Sequence, residues 1–274
     1  MKLMELFGLA FIIAFIASQG GISGAYLLVP SQIYILGLLS PVISSTNFMY
    51  NLLATPLAIY RYAREGRLIA PLAIVLAIGG SLGSILGTYV RVHLLVNAGE
   101  YRFFVDSVLL LLSAELIISS RIRSRDLVIT RVSILRVSIR GLEFVFSNNT
   151  FKISLPLVFI IALLAGLIGG IYGIGGASIV APILIANLNL PAYVTAGSTL
   201  VETLTTSTTA LVAYSTLGVL PNITVGLTIG IGGLIGSYIG ASVQKIMPES
   251  RIKLMLGIIT GLIGVIDLLL HYFI

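Results

Sequence analysis

The sequence predicts an all-α polytopic membrane protein made of two inverted repeats, each of about five hydrophobic segments. Three observations carry that fold class. The 274-residue chain is 57% hydrophobic and only 9% charged, with a mean hydropathy of +1.10, whereas soluble domains carry about 25% charged residues. Its apolar residues gather into long runs, and a helix needs about 20 of them to cross a bilayer. Glycine-containing blocks also recur in the same order at a nearly constant spacing, the mark of an internal duplication. Sparse charge and abundant Leu, Ile, Val and Ala exclude a disordered or fibrous chain. The lack of cysteine removes disulfides, thiolate metal sites and cysteine nucleophiles. A formal charge of +6 does not point to nucleic acid, because most Lys and Arg lie between apolar runs, as in loops held at a membrane surface.

Ten hydrophobic segments are expected, at 3–18, 25–39, 42–62, 68–90, 103–119, 154–171, 177–188, 192–216, 222–243 and 252–271, six or more of them long enough to span. Segments 3–18, 25–39, 154–171 and 177–188 are short and come in glycine-interrupted pairs, either broken or re-entrant. The apolar run after Lys2 has the look of a signal peptide, but the same element recurs at 154–171, so it is expected to stay as a membrane segment. Residues 1–119 form the first membrane repeat and 154–274 the second. Between them, 120–153 reads as a basic cytoplasmic linker, with seven Arg and Lys against Asp126 and Glu143. Alternation in Val132-Ser133-Ile134 and Phe144-Val145-Phe146, ahead of Ser147-Asn148-Asn149-Thr150, predicts short strands and a hairpin turn. A basic strand pair near anionic headgroups would also suit lipid or nucleotide sensing.

The duplication is read from three blocks. Gly21-Ile22-Ser23-Gly24-Ala25 recurs as Gly173-Ile174-Gly175-Gly176-Ala177, followed in each case by a proline, Pro30 and Pro182. At the same offset of 152, Tyr62 matches Tyr214 and Gly66 matches Gly218. One residue further in offset, the block starting Gly79-Gly80 matches that starting Gly232-Gly233. The positive-inside rule puts 120–153, the Arg61–Arg67 loop and the Lys245–Lys253 loop in the cytoplasm, and the uncharged Gly218–Pro221 loop outside. An odd number of segments per half then inverts one half against the other, an architecture of secondary transporters.

The glycine runs would let the chain turn within the membrane, which is tolerated only where protein or a water-filled cavity satisfies the backbone. Helices starting at Ala25 and Ala177 would then aim free amides and the positive dipole end at the bilayer centre, favouring an anion. The plain alternative is that these glycines serve close helix packing. Hydroxyls and amides on the following segments, among them Ser44, Ser45, Thr46, Asn47 and Asn51, and Thr195 through Thr209, would donate to a dehydrated oxyanion or bond back to helix carbonyls. Glu202 stands alone in an apolar run. An acid is expensive there, which suits a proton carrier or, alternatively, a neutral packing group. Gly79-x3-Gly83-x3-Gly87 and Gly232-x3-Gly236-x3-Gly240 are small-residue stripes for close helix approach. Asp106, Glu115 and Asp267 lie nearer segment ends, and His93 and His271 are isolated, so neither a metal nor a cofactor is expected. No Walker loop, zinc-protease or serine-nucleophile motif is present, so the chain is not read as an enzyme.

These residues resemble the sulfite exporter TauE/SafE family of membrane permeases over nearly the whole chain outside 120–153. The most specific stretch runs Ala165-Gly166-Leu167-Ile168-Gly169-Gly170-Ile171-Tyr172-Gly173-Ile174-Gly175-Gly176, followed by Pro182, Pro191 and Gly197-Ser198-Thr199-Leu200. The resemblance implies transport of sulfite, sulfonates or related organic anions across the cytoplasmic membrane. Glu202 departs from the family, standing where such sequences more often carry a small or apolar residue. The expected substrate-binding residues are Gly21, Ser23, Gly24, Ala25 and Asn47, with Gly173, Gly175, Gly176, Ala177, Ser198 and Thr199, and Glu202 couples a proton. The reading is a multi-pass carrier of a small anion by alternating access in the cell membrane, with the lipid bilayer as its partner, a homodimer left open, and no nucleic acid. A passive anion channel, or a carrier of another small solute, is the alternative on the same fold.

Overall fold

A computed structural model describes residues 2–37, 40–121, 131–244 and 248–273. Eleven helices and one small sheet follow in chain order among these residues. In the first half, α1 (Lys2–Gln19) ends at Gly20-Gly21, and α2 (Ala25–Leu36) begins beyond Gly24, with Gly21 at φ 73° and Gly24 at φ 80°. Only glycine takes that left-handed backbone without strain. Pro30 inside α2 cannot donate to the carbonyl of Tyr26. The Tyr172 hydroxyl donates to that carbonyl instead, at 2.8 Å. Then come α3 (Val42–Ala54), α4 (Pro56–Arg64), α5 (Ala70–His93) and α6 (Ala98–Ser120), the last capped by Asn97, whose side chain accepts the Gly99 N–H at 2.9 Å.

The second half repeats the order with α7 (Leu155–Tyr172), α8 (Ala177–Ala186), α9 (Ala192–Thr216), α10 (Ile223–Val243) and α11 (Glu249–Phe273). One difference corrects the sequence reading. The expected segment 42–62 is two helices, because Pro56 has no N–H for the ladder and starts α4 afresh after Thr55. Its counterpart α9 carries no proline inside and runs unbroken for 25 residues. Five helices among the described residues are long and apolar enough to cross a membrane, namely α1, α5, α6, α7 and α10, and α1 and α7, read as short segments in the sequence, reach 18 residues and join them.

The halves are interleaved. Helix α1 packs along α10 and α7 along α5, α6 lies against α11, and α3 and α9 meet in the middle. Close approach comes from the glycine stripes. Gly79, Gly83 and Gly87 of α5 sit on the carbonyls of Phe159, Leu163 and Leu167 of α7, where any Cβ would collide with backbone. Gly232, Gly236 and Gly240 of α10 sit in the same way on Phe7, Phe11 and Phe15 of α1, each of those residues 152 before its α7 counterpart.

Strands β1 (Ser133–Val137), β2 (Leu142–Phe146) and β3 (Asn149–Ile153) form an antiparallel sheet in that order. Ser147 and Asn148 at positive φ close the turn between β2 and β3, as a two-residue hairpin requires. Leu142, Phe144, Phe146, Phe151 and Ile153 pack on Ile69, Leu72, Leu155, Val158 and Val194, so the sheet rests on the ends of α5, α7 and α9. Arg123, Arg125 and Asp126 of the basic linker, Lys245, and the side chains of Asp267 and His271 lie outside the described residues.

Candidate substrate site

The two glycine turns are buried, and each is held by the half it does not belong to. Gly21 lies against Ala196 of α9, and Gly173 lies against Ser44 of α3. Those contacts are the same one, moved by 152 residues. Asn47 donates to the Gly173 carbonyl at 2.6 Å and to the Ala25 carbonyl at 2.9 Å. Thr199, 152 residues later, donates to the Gly21 carbonyl at 2.9 Å. Irregular backbone at membrane depth thus finds side-chain donors, as it must. Next to Asn47, Asn51 donates to the Ile174 carbonyl at 3.2 Å and to Ser207 at 3.0 Å.

Tyrosines tie the same turns from further out. The Tyr62 hydroxyl donates to the Ser18 carbonyl and the Tyr214 hydroxyl to the Gly170 carbonyl, both at 2.9 Å. Tyr101 and Ser44 both donate to the Tyr172 carbonyl, at 2.8 and 3.3 Å. Every residue from Gln19 to Pro30, and every residue from Ile171 to Ser178, is buried. The turns are therefore occluded from both faces of the helix assembly.

Of the residues singled out in the sequence, Gly21, Ser23, Gly24, Ala25, Asn47, Gly173, Gly175, Gly176, Ala177 and Thr199 all lie in or on these turns. Ser198 does not. Its hydroxyl accepts the Ile69 N–H and donates to the Ile69 carbonyl, both at 3.1 Å, at the start of α5. Thr46, its counterpart, accepts the Asn222 N–H at 2.8 Å at the start of α10. These two hydroxyls staple helices rather than face the turns.

Glu202 is fully buried, and its carboxyl group sits between Gly80 of α5 and Gly176 at the start of α8. The backbone amides of Gly176 and Ala177 face it, although neither carboxylate oxygen meets a donor at full hydrogen-bond geometry. A side chain on Gly176 would occupy the carboxyl group's place, which is why the stretch must be glycine there. Tyr50 was missed in the sequence. It stands 152 residues before Glu202, packs against Gly233 and donates to the Ser23 carbonyl at 2.6 Å. Extending the 152-residue alignment to that position would have found it.

On one side of the turns, Arg67 is buried between the rings of Tyr62 and Tyr193, 4.4 and 4.2 Å from their centroids. It pairs with Glu65 at 2.7 Å and donates to Gln244, whose amide donates to the Gln19 carbonyl at 2.6 Å. Arg91 of α5 lies over the Tyr101 ring at 3.6 Å and donates to the Leu95 carbonyl.

Five apolar helices long enough to span, interleaved around two buried glycine breaks, fit a multi-pass membrane protein, and the family match makes it one of the membrane transporters. The chain belongs to the sulfite exporter TauE/SafE family, whose model matches residues 6–266. It is 23% identical over 196 residues to the probable membrane transporter protein YunE of Bacillus subtilis (strain 168), covering 70% of this chain and 67% of that one. It is 30% identical over 131 residues to the sulfite exporter TauE/SafE family protein 2 of Arabidopsis thaliana, covering 46% of this chain and 28% of that one. No solved structure matches.

Proposed function

We propose that the protein carries a small anion of the sulfite and sulfonate class across the cytoplasmic membrane by alternating access. The observation that carries this reading is the pair of buried turns, each gripped by the opposite half, with the N-termini of α2 and α8 at their ends. Helix N-termini favour anions, and discontinuous helices at the interface of repeats are where secondary transporters bind their substrates. Contacts that recur at 152 residues support two equivalent halves, and five segments in each support an inverted relation between them. With the basic sheet in the cytoplasm, Arg67 lies on the inner side of the turns and Arg91 on the outer side. Rocking one half against the other would then open the turns to each face alternately. Glu202 is the proton carrier in this reading, since its carboxyl group lies against Gly176 of the second turn.

The experiment is uptake of radiolabelled sulfite and of ethanesulfonate into proteoliposomes, with and without an imposed pH gradient. Saturable flux that accelerates with inward proton movement is the expected result. Flux that never saturates would favour a passive channel, and flux of neither anion under any gradient would overturn the substrate class.

A further inference from the structure

The duplication makes one asymmetry between the turns visible. In the first half the start of α2 is satisfied by neutral groups: Ser23 Oγ accepts the Ala25 N–H at 3.3 Å, and the Tyr50 hydroxyl donates to the Ser23 carbonyl at 2.6 Å. At the matching positions the second half has Gly175, with no side chain, and Glu202. Its carboxyl group fills the place at α8 that Ser23 and Tyr50 fill at α2, facing the Gly176 and Ala177 amides. Neither of its oxygens meets a donor at hydrogen-bond geometry, and Ser178 Oγ and Thr203 Oγ1 are likewise buried without a partner among the described residues. Toward the carboxyl group α5 presents Gly80, α8 presents Gly176 and Ala177, and α9 itself presents Thr206 beside Gly80, while α7 presents Gly166 to Gly176. None of these is titratable, and among the described residues no charged side chain interacts with Glu202. Among the described residues, the end of α8 thus holds an acid with two unpartnered hydroxyls on neighbouring residues and no counter-cation.

We infer that Glu202 gates the N-terminus of α8: its carboxyl group occupies the place of the substrate anion, and the anion binds at that helix end only while Glu202 carries a proton. This rests on the anion-carrier reading above. Two negative charges cannot share one buried helix end, because like charges a few ångströms apart repel strongly in a low dielectric. A proton from solvent converts the carboxylate to the neutral acid, and the substrate then supplies the negative charge that the Gly176 and Ala177 amides attract. The anion and one proton bind together and leave together, so coupling resides in the second turn alone. The start of α2, capped by neutral groups, carries no such linkage.

The test uses purified full-length protein and ethanesulfonate, a strong-acid anion that does not itself titrate near neutrality. In weak buffer with a pH indicator, binding to the wild type is expected to take up one proton per anion at any pH where Glu202 is ionised beforehand, and none where it already carries its proton. By linkage the wild-type affinity rises by up to about tenfold for each unit the pH falls. Glu202→Gln, which keeps the shape and removes the charge, is expected to bind ethanesulfonate with no proton uptake and a flat pH profile. Wild-type binding without proton uptake at every pH, together with a flat pH profile, overturns the inference and leaves the carrier reading standing. So does a Glu202→Gln protein that keeps the wild-type pH slope. Absence of ethanesulfonate and sulfite binding to the wild type at every pH overturns both. Should Glu202→Gln fail to fold, the proton count on the wild type decides alone.

Discussion

Asn47 and Thr199 stand 152 residues apart and make the same bond to opposite halves of the protein: Asn47 donates to the Gly173 carbonyl at 2.6 Å, and Thr199 to the Gly21 carbonyl at 2.9 Å. Each turn is therefore positioned by a helix of the other half, and a movement of one half against the other passes through these two bonds. Side-chain hydrogen bonds within a bilayer are worth about 0.6 kcal/mol on average, with a maximum near 1.7. Asn47→Ala and Thr199→Val are each expected to cost about 1 kcal/mol or less in thermal stability in detergent. Anion flux into proteoliposomes should nonetheless fall severalfold, because the turn loses its fixed position. Loss of stability without loss of flux would make these residues packing groups alone.

Gly83 and Gly236 put the backbones of neighbouring helices in contact, Gly83 on the Leu163 carbonyl and Gly236 on the Phe11 carbonyl. The atom in the way is backbone in both cases, so a larger residue can be accommodated only by moving a helix. Overpacking of this kind costs roughly 1–3 kcal/mol, occasionally more. Gly83→Leu and Gly236→Leu are expected to lower the melting temperature by similar amounts, since they disturb equivalent seams. Gly37→Ala, where an added Cβ meets nothing within 4 Å, is the comparison for backbone strain alone. A Gly83→Leu protein as stable as wild type would mean that α5 and α7 lie further apart than described.

The repeat spacing made equivalent residues legible, and with it Gly21, Gly173, Tyr62 and Tyr214. It could not say which copy each touches. That Gly21 meets Ala196, and not Ser44, depends on how the halves interleave, and a duplicated sequence is silent on whether its copies pack separately or through one another. The break at Thr55 was readable from Pro56 alone, yet the apolar residues on both sides read as one segment. Glu202 was legible as a costly acid in an apolar run. Its place at the start of α8 was not, because that depends on Gly80 and Gly176 leaving room from two other helices. Ser198 looked like its neighbour Thr199, but successive residues on a helix face about 100° apart, and it meets Ile69 instead.

Arg67 joins the loop after α4 to α10 and, through Gln244, to the first turn. Its stacking between Tyr62 and Tyr193 needs a planar cation, which lysine is not. Each such contact is worth about 0.5–2 kcal/mol. Arg67→Lys keeps the charge beside Glu65 and is expected to destabilise by about 1–3 kcal/mol all the same, read as a lowered melting temperature. Tyr193 also stacks on Phe146 of the sheet, with centroids 5.7 Å apart. Tyr193→Ala should therefore loosen β2 as well, with faster amide exchange over Leu142–Phe146. Unchanged exchange there would separate the sheet from the arginine cluster.

Arg64 and Thr216 occupy equivalent ends of the third segment in each half, 152 residues apart, and both are exposed. The glycine that follows each by two residues turns the chain with φ 71° at Gly66 and 80° at Gly218. If the halves are inverted, these two matching sites lie on opposite faces of the membrane; if the repeats run parallel, they share a face. The chain has no cysteine, so single substitutions report without background. Arg64→Cys and Thr216→Cys in intact cells are expected to differ: an impermeant maleimide should label Thr216→Cys at once and Arg64→Cys only after permeabilisation. Ser138→Cys, on the sheet between β1 and β2, should behave as Arg64→Cys does. Labelling of both matching sites from one side would remove the inversion, and with it the rocking movement, whatever the fate of the substrate assignment.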